Sequence, residues 1–263
     1  MTFDLRLVST DFDGTIHEDF ADAPVPASLQ ERLAHLQSNG VLWVINTGRD
    51  LASLLESIGR AHLNIRPDYI VAVEREIFRF KGHRYEPVEP WNTQCVRDHA
   101  ELFGSMAGDI GDLMQHLSAK YDATFYADGW SPLCVIARNN PQMDAIQVEL
   151  DAFTATATEV VSVRNDVYVR LSHRGYSKGT ALREIARLSG LNPAQIFAAG
   201  DHFNDVPMLS REVAHWLASP ANAMPSIKTQ VLAQGGYVAR TNCGHGVLEA
   251  LNHFESQYGR ARS

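Results

Sequence analysis

Cysteine is scarce in this chain: Cys95, Cys134 and Cys243 are the only three, far apart and with no CxxC pair. Their spacing excludes a disulfide framework and a zinc-finger arrangement, both of which need paired or closely spaced thiols. Long apolar runs are missing too. No stretch approaches the roughly 18 consecutive apolar residues of a membrane span. The start, MTFDLRLVST, has neither a basic opening nor the apolar run of a secretory leader. Positive charge is in deficit, with 23 Lys+Arg against 31 Asp+Glu and a formal net charge of −8. Binding to nucleic acid or to an anionic membrane by bulk charge is therefore not expected. There is no internal repeat and no linker rich in Gly, Ser or Pro. With 45% hydrophobic and 21% charged residues over a length of 263, the composition is that of a globular protein with one large domain or two modest ones. The expected setting is the reducing cytoplasm.

The order of elements predicts an α/β protein. Leu5–Thr10 reads as a short strand, Val25–Asn39 as a helix ended by Gly40, and VLWVIN over Val41–Asn46 as a strand buried on both faces. A helix over Leu51–Ile58 and a strand over Tyr69–Val73 complete a βαβαβ pattern, which favours a parallel sheet with right-handed crossovers. The pattern then changes. Glu76–Val88 reads as a hairpin turning near Lys81–Gly82, and Cys95–Lys120 as helical with breaks at Gly104, Gly108 and Gly111. Strands at Ala123–Tyr126 and Leu133–Ala137, a helix over Gln142–Phe153 and a hairpin turning at Asn165–Asp166 follow. From Ser177 the first style returns: helix Lys178–Ser189, strand Ile196–Ala199, a helix from Val206, short strands at His215–Ala218 and Tyr237–Ala239 around a helix over Ser226–Ala233, and a last helix over Val247–Gln257. The expectation is a doubly wound parallel-sheet core made from residues 1–76 and 172–263, with residues 77–171 inserted as an α+β domain.

Chemistry-bearing residues gather at the expected strand ends. Asp11-Phe12-Asp13-Gly14-Thr15 follows the first strand, where open parallel sheets bind their ligands. Two carboxylates two residues apart could ligate a divalent cation, or one could attack an electrophile while the other handles a proton. A plain Asp/Gly turn is the structural alternative. Gly200-Asp201-His202-Phe203-Asn204-Asp205 follows the strand IFAA on the same sheet edge. Carboxylates converging from two strands repel unless a cation lies between them, which predicts Mg2+. Asn46-Thr47-Gly48-Arg49 precedes a helix, so the Thr47 hydroxyl and amides such as that of Gly48 could cradle an anion. Lys178 opens the helix that re-enters the core, where its charge could offset phosphate against carboxylate.

In order, DFDGT, INTGR, Lys178 of SKGTAL and GDHFNDVPML resemble the four motifs of the haloacid dehalogenase superfamily of phosphohydrolases. The insert between the second and third resembles the branch with a large α+β cap, the Cof-type and sucrose-phosphatase-like enzymes. The resemblance implies a phosphatase acting on a small phosphorylated metabolite, and the expected substrate is a sugar phosphate. Asp11 would be the nucleophile forming an aspartyl-phosphate and Asp13 the general acid/base. Thr47, Gly48, Lys178 and Asn204 would hold the phosphoryl group. Mg2+ would be bound by Asp11, the Asp13 carbonyl and Asp201, with Asp205 as ligand or support. Two departures stand out. Glu74-Arg75-Glu76 replaces the branch's usual Asn-Gly, adding acids that could disfavour strongly anionic substrates, and Pro220-Ala221-Asn222 replaces a Gly-Asn-Ala.

Three other readings are open to the sequence. A phosphomutase would use the same aspartyl-phosphate, and a non-catalytic phospholigand-binding module would keep the fold. Gly175-Tyr176-Ser177-Lys178-Gly179 also fits a serine-esterase elbow with Ser177 as nucleophile and His245 or His253 downstream. In the insert, Trp91, Tyr121, Phe125, Tyr126 and Trp130 are candidates either for core packing or for stacking on a sugar. Oligomeric state is not legible.

Overall fold

The computed structural model describes residues 3–259. In chain order the elements begin with β1 (Leu7–Thr10), α1 (Ala27–Ser38), β2 (Leu42–Asn46), α2 (Leu51–Arg60), β3 (Tyr69–Ala72), β4 (Glu76–Lys81) and β5 (Arg84–Pro87). Next come α3 (Trp91–Ser105), α4 (Ala107–Lys120), β6 (Thr124–Tyr126), β7 (Cys134–Ile136), α5 (Asn140–Thr156), β8 (Val160–Asn165) and β9 (Tyr168–His173). The chain closes with α6 (Lys178–Leu188), β10 (Ile196–Ala199), β11 (Trp216–Ser219), α7 (Pro225–Ala233), β12 (Tyr237–Val238) and α8 (Cys243–Tyr258).

Two compact units result, one made of the chain up to Val88 and from Ser177 on, the other of Glu89–Tyr176. The first holds an eight-stranded sheet in the order β12-β11-β10-β1-β2-β3-β4-β5. Strands from β12 to β3 run parallel, and the β4–β5 hairpin adds two antiparallel strands at the edge. Every residue of β1, β3, β10 and β11 is buried, which is why β3 and β10 read as continuous apolar runs and none of the four alternates. The core gathers Val8, Trp43, Ile45, Ile70 and Phe197 of the sheet with Leu29 and Leu33 of α1 and Val247, Leu251 and Phe254 of α8. β1 has β2 on one side and β10 on the other. The strand order therefore reverses at β1, and the crevice beyond its carboxyl end is the switch point where such sheets bind ligands.

The second unit has a four-stranded antiparallel sheet, β6-β7-β9-β8. Val135, Val169 and Leu171 of the sheet pack with Ile110 and Leu117 of α4 and Met143, Ile146 and Leu150 of α5. Tyr121 and Phe125 pack against this core, and Trp91 meets Tyr176 edge-on at 5.2 Å.

Three expectations need correction. The Glu76–Val88 hairpin belongs to the core sheet, so the compact units divide at 88/89 and 176/177 rather than at 76/77 and 171/172. Alternation identifies a hairpin but not the sheet whose edge it extends. The helical stretch breaks at Met106, not at its glycines; packing overrides the roughly 1 kcal/mol that each helical glycine costs. No helix starts at Val206: a 3-10 turn, Phe203–Asp205, precedes it and the chain runs on in turns. The residues at the two ends of the expected core, 1–2 and 260–263, lie outside the described residues.

Candidate active site

β1, β2 and β10 end level with one another: Thr10 pairs with Ile45 on one side and Ala199 on the other. The residues that follow, Asp11, Asn46-Thr47 and Gly200-Asp201, therefore come together. The Asp11 amide extends the ladder by one bond, to Ala199 O at 2.9 Å.

Lys178 is the hub. It is the first residue of α6, whose N-terminus is fixed by a reciprocal Ser177–Thr180 capping box. Its side chain is 0% exposed, and Nζ donates to Asp11 Oδ1 and to Asp205 Oδ1, both at 2.6 Å. Asn46 Nδ2 donates to the Lys178 carbonyl at 2.9 Å, tying the end of β2 to the start of α6. Gly179 is required by crowding, since a Cβ there would lie 2.1 Å from Pro207 O.

Asp11, Asp201 and Asp205 bring carboxylate oxygens within 4.8 Å of one another. One ammonium cannot balance three carboxylates, two of them buried and the third, Asp201, half-buried. Burial pushes the Asp11 carboxyl well above its ordinary value; Lys178 opposes the rise, and the charges on Asp205 and Asp201 add to it. Burial and then the Asp205 charge raise Asp201 to about 7, against a hydrogen bond from Thr15. Burial works against the Lys178 ammonium, but Asp11 and Asp205, with Glu74, hold its pKa above the ordinary lysine value. An all-oxygen, electron-rich cluster of this kind fits a hard divalent cation. Asp205 already accepts at both oxygens, from Lys178 on one and from the amides of Asp201 and His202 at 2.8 and 3.0 Å on the other. That makes it the brace of the loop and of Lys178.

Asp13 lies apart from this cluster. Its carboxylate takes a two-pronged hydrogen bond from Arg49, Nε to Oδ2 at 2.6 Å and Nη2 to Oδ1 at 2.7 Å. The Asp13 hydrogen bond is the main reason that the Arg49 pKa rises. Arg49 in turn rests on Ser57 Oγ at 3.0 Å, on the helix that Asp50 caps. Gly14, at φ +73°, leaves room for Asp201, whose Oδ2 would lie 2.5 Å from a Cβ there. Thr15 Oγ1 donates to Asp201 Oδ1 at 2.8 Å.

Thr47 and Asn204 are buried. The Thr47 hydroxyl accepts the Arg49 amide at 3.2 Å, and Asn204 Nδ2 donates to Glu74 Oε1 at 2.9 Å. The same Glu74 oxygen would be 3.3 Å from a Cβ on Gly48. Two of the four residues expected to hold phosphate, Gly48 and Asn204, thus border one acid. Val73 and Glu74 both have positive φ, +44° and +67°, in the tight turn joining β3 to β4 where Arg75 N bonds Ala72 O. Such turns favour Asn-Gly, and a β-branched residue in this region is strained.

Sequence reasoning quoted Arg49, Asn46 and Thr15 inside motifs but gave them no task. It left Asn222 without a role; Asn222 Nδ2 donates to Gly14 O at 2.7 Å, and its Oδ1 accepts the Cys243 amide at 2.8 Å. The esterase alternative fails. Ser177 Oγ is engaged in the helix cap with Thr180, and among the described residues no histidine or carboxylate bonds to it. The three cysteines are all buried and form no disulfide, and no helix among the described residues is long and apolar enough to cross a membrane.

Comparison with known proteins agrees with this geometry. A family model described as sucrose-6F-phosphate phosphohydrolase matches residues 4–255. The sucrose-phosphatase of Synechocystis sp. PCC6803, solved with sucrose and phosphate, superposes with a TM-score of 0.71 at 20% identity, covering 97% of this chain and 99% of that one. A haloacid dehalogenase-like hydrolase from B. subtilis gives a TM-score of 0.63 at 18% identity over 95% and 99% of the two chains. In sequence, YxeH of Bacillus subtilis (strain 168), assigned provisionally as a phosphatase, is 23% identical over 94% of this chain and 97% of its own length. The chain belongs to the sucrose-6F-phosphate phosphohydrolase family, on the haloacid-dehalogenase-like α/β fold, and is a phosphoric monoester hydrolase.

Proposed function

We propose that this chain is a Mg2+-dependent sugar phosphatase working through an aspartyl-phosphate on Asp11. The observation that carries the reading is the fully buried Lys178, whose ammonium grips Asp11 and Asp205 at 2.6 Å each while Asp201 completes the acidic cluster. Asp11 attacks phosphorus from the end of β1. Its Oδ1 is oriented by Lys178, which also offers charge to the phosphoryl oxygens. Asp13, held away from the cluster in the Arg49 fork, protonates the leaving alcohol and later takes a proton from the attacking water. Thr47, the Gly48 amide and Asn204 hold the phosphoryl oxygens. Asp11, Asp201 and the Asp13 carbonyl, with Asp205 in support, would hold Mg2+, which would supply neutralisation of phosphoryl charge. The remaining work is positioning, which phosphoryl transfer chiefly requires.

The substrate reading rests on two supports. The Synechocystis relative was solved with sucrose and phosphate. In this chain the buried Glu74 carboxylate borders Gly48 and Asn204, which disfavours a leaving group with a second anionic charge and suits one rich in hydroxyls. Selection among sugars is assigned to the Glu89–Tyr176 unit, as the inserted cap. The test is hydrolysis of a panel containing sugar monophosphates, phosphoglycolate and p-nitrophenyl phosphate, with Mg2+ and with EDTA. Sugar monophosphates turned over best and only with Mg2+ support the reading; a preference for phosphoglycolate, or indifference to EDTA, overturns it.

A further inference from the structure

Beyond Asp13 the chain turns back on itself. An isolated bridge pairs Asp13 with His17, and the Gly14 amide donates to the His17 carbonyl at 2.9 Å. The fold returns His17 to the side of the carboxylate that the reaction reading treats as acid and base. The imidazole stacks on the buried Phe12 ring, with centroids 4.7 Å apart and planes inclined by 15°, so its orientation is set by packing. His17 is 8% exposed, and its Nδ1 is buried with no hydrogen-bond partner. An orphaned buried nitrogen of this kind calls for an explanation.

The explanation lies in what Nδ1 faces. Asp13 Oδ1 is 3.7 Å away and Asp19 Oδ1 3.5 Å away, both longer than an ordinary hydrogen bond. These separations are close to the edge of a tetrahedron with metal–ligand bonds of about 2.0–2.2 Å, an edge of about 3.3–3.6 Å. All three donor atoms lie within 4.8 Å of one another. The Arg49 fork occupies part of Asp13 only, because a carboxylate has about four acceptor sites. Asp19, whose side chain is 63% exposed, opens the group to solvent and adds a second negative charge, which also helps to raise the Arg49 pKa.

We propose that Asp13, His17 and Asp19 form a second cation site, distinct from the Asp11–Asp201–Asp205 cluster, which takes a zinc-like divalent ion and thereby inhibits the enzyme. One imidazole nitrogen with two carboxylate oxygens suits Zn2+ and disfavours Mg2+, which prefers an octahedral oxygen shell. The site itself stands on geometry. Its inhibitory consequence rests on the proposed function, since occupation engages the Asp13 carboxylate that must give and take protons.

The test has two arms. In the first, Zn2+ binding is read by equilibrium dialysis at saturating Mg2+ and without substrate, for the wild type, Asp19→Asn and His17→Leu. Co2+ visible absorption reports nitrogen coordination in the same proteins. The expected result is Zn2+ bound by the wild type and a loss of at least about tenfold in affinity in each variant. The exposed Asp19→Asn guards against misfolding at His17. Equal binding by all three proteins overturns the site. In the second arm, p-nitrophenyl phosphate hydrolysis at saturating Mg2+ is titrated with Zn2+, each protein serving as its own reference. Inhibition of the wild type, relieved by at least about tenfold in both variants, supports the proposal; inhibition that is equal in all three overturns it. A wild type that binds Zn2+ but turns over neither p-nitrophenyl phosphate nor any sugar monophosphate refutes the proposed sugar-phosphatase function and the inhibitory role, while the dialysis still decides the site.

Discussion

Replacing Lys178 by Met removes a cation and little else, because the side chain is fully buried and of similar length. What remains is a pocket with Asp11 and Asp205, each deprived of a 2.6 Å donor, beside an Asp201 already raised to about 7. Breaking a buried ion pair by removing one partner costs about 3–5 kcal/mol. Two carboxylates lose the same partner here, so the upper part of that range applies at pH 8 in EDTA. The cost must shrink on acidification. Protonated carboxyls no longer need the ammonium, and each one that stays protonated in the folded variant while ionised in the unfolded chain returns about 1.4 kcal/mol per pH unit. Urea unfolding followed by fluorescence measures this. Trp91→Phe and Trp130→Phe leave Trp43 and Trp216, both buried in the core sheet, as reporters. With a urea slope of about 1–3 kcal/mol/M, the midpoint falls by on the order of 2 M at pH 8 and by clearly less at pH 5.5. Equal midpoints at pH 8, or a gap that widens on acidification, would refute the reasoning.

Asp201, raised to about 7 from an unfolded value near 3.8, is protonated in the folded metal-free protein over a range where the unfolded chain is ionised. Its stabilising contribution is complete below about pH 4 and is lost as pH rises through about 7; calorimetry should show a falling Tm over that range, a flatter slope in Asp201→Asn, and a larger Mg2+-induced rise at pH 8 than at pH 6. Arg49→Lys keeps the charge but not the two-pronged grip on Asp13; steady-state kinetics should show kcat down by about tenfold or more with KM little changed. A drop in kcat/KM due to KM alone would contradict that assignment. Gly179→Ala places a Cβ 2.1 Å from the backbone oxygen of Pro207, so a loss of about 1–3 kcal/mol should appear in urea unfolding, and an unchanged midpoint would show that α6 is free to shift.

How far the site was legible depends on whether each residue acts locally. Thr47 and Asp201 follow strands whose burial leaves an apolar run, and Asp11 follows the short buried strand LVST, so their convergence follows from the parallel sheet alone. Lys178 is legible by position, as the first residue of a helix returning to the core. Arg49 is not, because its partner lies 36 residues away and only the fold makes the pair. His17 stands four residues from Asp13, but the bridge that brings them together is irregular backbone with no periodic signature. The Val73–Glu74 turn was hidden for the opposite reason: its residues contradict the turn chemistry that a reader searches for. The same turn sends β4 back along β3, which is why the hairpin extends the core sheet rather than entering the second unit.

The most direct test of the account is to quench the enzyme in acid during turnover of a sugar monophosphate, with the phosphoryl group labelled, and to map the label by peptide sequencing. The account predicts label on Asp11, present with Mg2+, absent in EDTA and absent in Asp11→Asn. Hydrolysis that survives the Asp11→Asn substitution, or label on any other residue, would contradict it.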